Sequence, residues 1–204
     1  MSIRETTVGD FCAEVGGNEP VPAGVSISAI SAAMALSLLA KVLDITARRK
    51  DFSGDRARID ALINASRDES AGLTELADAD VRAFNDYLAC IRSEEKAGVD
   101  DAMCKCIDVP MEAARAALRG MDLCVEGVEM VHGLTAADLA IGAAILRGAI
   151  RAMLVSVDFN FRQLDESSEF AQKLTAERHE IEMQAVRRDD VITSAVRALL
   201  HPPA

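Results

Sequence analysis

The sequence predicts an all-α fold, a bundle of long helices packed around central helices rich in small residues. Half of the 204 residues are hydrophobic, yet only 3% are aromatic, so alanine, leucine, isoleucine, valine and methionine supply the apolar content. Small and unbranched side chains favour the helical state and let helices approach closely, whereas strands draw on aromatic and β-branched residues. Apolar residues also recur at three- and four-residue spacing along most of the chain, which is the period of one helix face. The length suits a single domain over 1–204, one that buries about 70% of its unfolded surface without a disulfide or metal staple.

Thr7-Val8-Gly9-Asp10 has the form of a capping box and opens a short helix that stops near Gly16-Gly17. Asn18 to Gly24 holds Pro20 and Pro22 and reads as a loop, because proline has no N–H to continue a helix. A second helix is expected from Val25 to Arg49. No residue from Pro20 to Ala40 is charged, and a helix apolar on nearly all sides is buried either in protein or in a bilayer. Ser26, Ser28, Ser31, Ser37 and the alanines around them favour close packing in a protein core or subunit interface. The closing Arg48-Arg49-Lys50 suits the negative end of a helix dipole; a site for an anionic ligand tail is the lesser reading.

Ser53-Gly54-Asp55 restarts the chain, and Ile59, Leu62, Ile63, Leu73, Leu76, Ala77, Phe84, Leu88 and Ile91 give one long helix, or two stacked pieces, to Arg92. After the polar stretch Ser93 to Asp101, Asp108-Val109-Pro110 reads as a cap followed by a helix opening at proline, which ends at His132-Gly133. Thr135-Ala136-Ala137-Asp138 is a second capping box, opening a very apolar helix that runs to about Leu164. Ser167 to Leu200 mixes charged and apolar residues as a surface amphipathic helix does.

Charge narrows the partners. Lys and Arg number 22 against 33 Asp and Glu, a net of −11, which leaves no cationic field for nucleic acid or an anionic membrane surface. The start, MSIRETTVGD, has no apolar run, so no signal peptide is expected. Five scattered cysteines, an odd number, fit reduced thiols and a cytoplasmic location. Cys104 and Cys106 are two apart and face different ways on a helix, so no metal site is expected.

Acid–base candidates are polar groups on apolar faces. Asp80 follows Leu76 and Ala77 by four and three residues and precedes Ala83 and Phe84 by three and four, which sets its carboxylate on the apolar stripe. A buried carboxylate must be paired, neutralised or used. Asp78 is expected to point to solvent. Asp138 has a structural use as the fourth member of its box. Arg151, Asp158 and Arg162 share one face as an ion-pair ladder, with Asn160 on another, and His132 stands at a helix end.

Pro20-x-Pro22-x-Gly24, the continuation Ser28 to Met34, and the basic stop before Phe52 resemble the cyclodeaminase/cyclohydrolase family. So does the order of Asp80-Val81-x-Ala83-Phe84, Asp108-Val109-Pro110, Ala137-Asp138 and Asn160 with Leu164. The likeness spans about residues 5 to 185. It implies an all-helical homodimer with no metal and no tightly bound cofactor, acting on a tetrahydrofolate derivative. It further implies Asp80 and Asp138 as catalytic residues, with Pro22, Gly24, Ser26, Phe84, His132 and Asn160 binding substrate. Ala23 and Val25 stand where the family has glycine, and Cys90-Ile91-Arg92-Ser93 where it has a proline–lysine segment. Three functions follow: a folate cyclohydrolase or cyclodeaminase, a diverged enzyme closing or opening a C–N ring on another substrate, and a non-catalytic helical dimer.

Overall fold

In the computed structural model, which describes residues 2–93, 98–162 and 169–200, a 3-10 turn at Ile3–Glu5 leads into α1 (Val8–Val15). Thr7 caps α1 by accepting from the Asp10 amide, as its box pattern predicts, yet α1 buries none of its own residues. Five long helices follow: α2 (Gly24–Ala47), α3 (Arg56–Arg92), α4 (Val99–Gly127), α5 (Leu134–Phe161) and α6 (Glu169–Leu200). Among the described residues there is no strand, so the all-α reading holds.

α2 forms the centre, because its sequence leaves it no polar face. Ala29, Ala32, Ala35, Leu36, Leu39 and Leu43 are buried against α3 on one side and α5 on the other, with α4 behind. Three of its polar side chains find acceptors within the helix. Ser28, Ser37 and Thr46 donate to the carbonyls four residues back at 2.7, 3.0 and 2.9 Å, so their burial leaves nothing orphaned. Two glycines let the neighbours in. A Cβ on Gly142 of α5 would lie 3.3 Å from the Ala35 carbonyl oxygen, and one on Gly120 of α4 would lie 2.9 Å from Leu36 Cδ2.

Two expected helix starts are corrected. α4 begins at Val99, and Pro110 sits buried inside it. The apolar stripe Met103, Cys106, Ile107, Pro110, Met111 and Ala114 runs straight through the proline, so burial outweighs the hydrogen bond that proline cannot donate. Asp100 and Asp101 fill the first turn, where carboxylates suit the positive helix end. α5 begins at Leu134 with Gly133, at φ +56°, before it and no side-chain cap. Thr135 Oγ1 instead donates to the His132 carbonyl at 2.7 Å and accepts from the His132 amide, closing the preceding turn, so the second capping box does not form. The end expected near Leu164 lies outside the described residues.

α6 docks through Leu174, Ile181, Ala185, Ile192 and Val196, and Arg178 and Arg188 fall on that same stripe. Their guanidinium groups reach across to carboxylates, Arg178 to Asp158 of α5 and Arg188 to Asp122 of α4. Asp158 is therefore paired with α6 rather than forming a ladder with Arg151 and Arg162. Arg115 of α4 completes the seam with a two-point pair to Glu177 at 2.7 and 2.9 Å. That pair holds the Glu177 carboxyl below its ordinary range, so its stabilisation is present above the unfolded-state value and disappears as pH falls through the folded one. Glu177→Gln is expected to lower stability by ~0.2–1 kcal/mol at neutral pH, the scale of a partly exposed pair. The difference from the parent should vanish in acid, as thermal melts across a pH series will read.

Candidate active site

Four elements converge at the start of α2. The loop from Pro20 to Gly24, the middle of α3, Cys106 of α4 and the last turns of α5 enclose a cavity of about 440 Å³. Asp80 reaches its wall because α3 points that residue along its apolar stripe, between Ala77 and Ala83, both buried. Asp80 Oδ2 accepts from Ser26 Oγ at 2.9 Å, and the same hydroxyl lies 3.3 Å from the Ala77 carbonyl. Burial pushes the Asp80 carboxyl above its ordinary value, and the Ser26 hydrogen bond pulls more weakly the other way.

The other walls are largely apolar, with Val25, Phe84, Val155 and Phe159 among them. Cys106 donates its thiol proton to the Ala83 carbonyl at 3.4 Å. Burial, then the negative charges of Asp80 and Asp86, push that thiol up to about 11, so it stays protonated at neutral pH. Asn160 Nδ2 donates to the Cys106 carbonyl at 2.8 Å, tying α5 to α4 at the mouth. A cavity with a tuned carboxyl group, an amide, the hydroxyl of Ser156 and apolar walls can exchange a proton with a flat, uncharged or cationic group.

The structure brings together some of the expected site residues and separates others. Asp80, Gly24, Phe84 and Asn160 line the cavity. Ser26 is fully buried and reaches it only through Asp80. Pro22 lines a groove on the other side of the loop, with Ser2, Ile3 and Asp78. His132 lines a separate cavity of about 200 Å³ with Arg49, Asp51 and Phe52. Asp138 lines neither cavity. It stands in the second turn of α5, 22 residues before Asn160, which at 1.5 Å per residue is about 33 Å away. Asp80 and Asp138 therefore do not form a pair within one chain.

Asp78 is not turned to solvent. It accepts from Ser2 Oγ and from the Ile3 amide, the latter at 2.8 Å, and so fastens the N-terminal turn to α3. The basic stop is occupied locally, Arg48 by Asp44 and Arg49 by a two-point pair to Asp51, and the Arg49 guanidinium holds the Asp51 carboxyl down to about 2. Among the described residues no three His, Cys, Asp or Glu side chains converge as metal ligands. The cavity residues that sequence reasoning missed include Cys106, Ala152, Val155 and Phe159. Cys106 was legible as a member of the α4 apolar stripe, and Phe159 as an aromatic beside Asn160 in a chain poor in aromatics.

Known proteins share this architecture. The crystal structure of formiminotetrahydrofolate cyclodeaminase from Thermotoga maritima superposes with a TM-score of 0.89 over 98% of this chain and 100% of that one, at 20% identity. In sequence, the chain is 25% identical over 175 residues to formimidoyltransferase-cyclodeaminase of Mus musculus, covering 81% of this chain and 32% of that protein. The chain thus spans about a third of the length of that relative. It is 24% identical over 169 residues to methenyltetrahydrofolate cyclohydrolase of Methylorubrum extorquens, covering 78% of this chain and 81% of that one. The sequence profile described as formiminotransferase-cyclodeaminase matches residues 7–180, a span that takes in the loop before α2, Asp80 and Asn160. The chain belongs to the formiminotransferase-cyclodeaminase family.

Proposed function

We propose that this chain is a folate one-carbon enzyme that opens or closes a C–N ring, with Asp80 as its acid–base group. The observation that carries the reading is Asp80 itself, a half-buried carboxyl group on the wall of an open cavity, raised above its ordinary pKa. Catalytic acids and bases work best with a pKa moved toward the operating pH. In cyclodeamination N10 attacks the formimino carbon, its proton passes to Asp80, and Asp80 returns a proton to the departing ammonia. In cyclohydrolysis water attacks the methenyl carbon and gives a proton to Asp80; as the C–N bond breaks the ring nitrogen regains that proton, and the carbinol hydroxyl releases its own to solvent to leave the formyl group. The names of the relatives from mouse and Methylorubrum extorquens support both directions. The test is to titrate the purified chain with 5-formimino- and 5,10-methenyltetrahydrofolate and follow the methenyl chromophore, which appears from the first and is lost from the second. Saturable binding and turnover of either are expected.

One observation favours a second substrate class. Among the described residues lining the cavity, Asp80 is the only charged one, so a cationic carbon is matched while a glutamyl carboxylate meets no cation inside. A diverged enzyme acting on a cationic C–N centre without an acidic tail fits that wall. Absence of binding to every reduced folate would overturn the folate reading and leave this one. A purely structural role fits poorly, since side chains do not fill the cavity.

We also propose that the chain pairs with a second copy through α2 and its neighbour α5. Ile27, Met34 and Ile45 recur at helical spacing on α2 and remain exposed, as do Ile141 and Ile145 on α5, which packs against it. Met34 is 55% exposed, so Met34→Glu costs a monomer little but buries a charge in a dimer. Light scattering at micromolar concentration should find a dimer for the parent and a monomer for the variant. A monodisperse parental monomer would count against the pairing.

A further inference from the structure

We propose that Ser26 is a positioning residue for Asp80, a hydroxyl that turns its single hydrogen between two acceptors as Asp80 loses and regains its proton. This rests on the acid–base reading of Asp80. Ser26 Oγ lies 2.9 Å from Asp80 Oδ2 and 3.3 Å from the Ala77 carbonyl oxygen, and a serine hydroxyl has one hydrogen but two lone pairs. With Asp80 ionised, the hydrogen points at Oδ2. With Oδ2 protonated, that new O–H donates to a lone pair of Ser26 Oγ and the serine hydrogen turns to Ala77. In each state Ser26 Oγ and Asp80 Oδ2 stay bonded to one another, at a serine that is 0% exposed and so has no access to water as a substitute. Among the described residues no buried side-chain nitrogen or oxygen lacks a partner. α2 thus supplies an adjustable partner at a place where a fixed donor would favour only the carboxylate.

The other groups facing Asp80 do not offer this. From α4 comes Cys106, whose proton is committed to the Ala83 carbonyl. From α5 come Ser156 and Asn160, the amide bonded to the Cys106 carbonyl. The described cavity-lining residues of the loop before α2 are Pro20, Val21, Ala23 and Gly24, none of them ionisable. On α3 itself, Asp78 is held by Ser2 and Ile3, and Asp86 acts on Cys106.

The test reads Asp80 directly. In the full chain, the side-chain carboxyl carbon of Asp80 is titrated by carbon-13 NMR, assigned by its loss in Asp80→Asn, in the parent, Ser26→Ala and Ser26→Cys. Removing the hydroxyl costs the carboxylate a charge-assisted bond and the neutral acid only an ordinary one, so the midpoint should rise by about one pH unit in Ser26→Ala. Ser26→Cys, with a weak donor, should fall between. The acid limb of the rate profile should move with the midpoint; Ser26→Ala loses one small group and Ser26→Cys exchanges oxygen for sulfur, so circular dichroism should show the parental fold. An unchanged midpoint in Ser26→Ala, or a fall in turnover without a shift of the midpoint, overturns the proposal. A shifted midpoint together with full turnover of Asp80→Asn supports the Ser26 assignment and removes the acid–base reading instead.

Discussion

Asp80→Asn is expected to lower turnover roughly 10²–10⁴-fold, the usual contribution of a general acid–base group, and to leave the protein at least as heat-stable as its parent at neutral pH. The two halves have one cause. Burial raises the folded-state pKa of Asp80, so the folded protein holds this proton more tightly than the unfolded chain. Stability therefore falls as pH rises from the unfolded-state value through the folded one and stays reduced above it. Asparagine removes the burial cost of the charge, keeps the shape, and still accepts from Ser26 through Oδ1. The melting temperature should be equal or higher in the variant at neutral pH, and the two proteins should converge as the pH drops. A purely structural Asp80 predicts the reverse pattern, a lower melting temperature and an intact rate per folded molecule. Asp138→Asn, at the far end of α5, should turn over at nearly the parental rate. Full turnover of Asp80→Asn on the true substrate would sink the assignment.

Leu36→Ala should produce the largest loss of stability, about 2–5 kcal/mol for an emptied core leucine. Leu36 is 0% exposed, and its Cδ2 would lie 2.9 Å from a Cβ on Gly120 of α4. At roughly 2–4 °C per kcal/mol for a chain of this size, the melting temperature should drop by about 4–20 °C. The same contact predicts a partner effect. Gly120→Ala alone should crowd Leu36, a strain of about 1–3 kcal/mol, partly offset by the ~1 kcal/mol that alanine gains over glycine in a helix. In the Leu36→Ala background the strain disappears, because the new methyl enters the space the leucine left. The double variant should therefore be more stable than Leu36→Ala alone, with a coupling of about 1 kcal/mol or more. Simple additivity would show that the two helices do not meet where the geometry puts them.

The sequence carried the fold further than the site. α2 was legible to within two residues because its uncharged run is bounded by prolines and a basic stop, signals that act locally. Pro110 misled for the opposite reason: the rule that proline opens helices is local, whereas the burial that holds it mid-helix comes from the surrounding bundle. Asp80 could be found because apolar spacing on one helix reports burial directly. Asp138 could not be placed apart from it by any local signal, since only the length of α5 shows that Asp138 and the cavity residue Asn160 lie near opposite ends of one helix. Asp78 was misjudged because its partners, Ser2 and Ile3, are 76 and 75 residues away in the chain.

The place of α2 in the bundle sets a condition on how the protein is made. One side of α2 can close on α3 soon after both emerge, since α3 follows it directly. The other side waits for α5, whose last residue, Phe161, leaves the ribosome 114 residues after Ala47. At roughly 5–20 residues per second, that is about 6–23 s in which a nascent helix with no charged residue from Gly24 to Ala40 shows an apolar side to the cell. Yield during expression should therefore depend on the elongation rate and on the supply of chaperones that hold emerging chains, more than on the stability of the finished bundle.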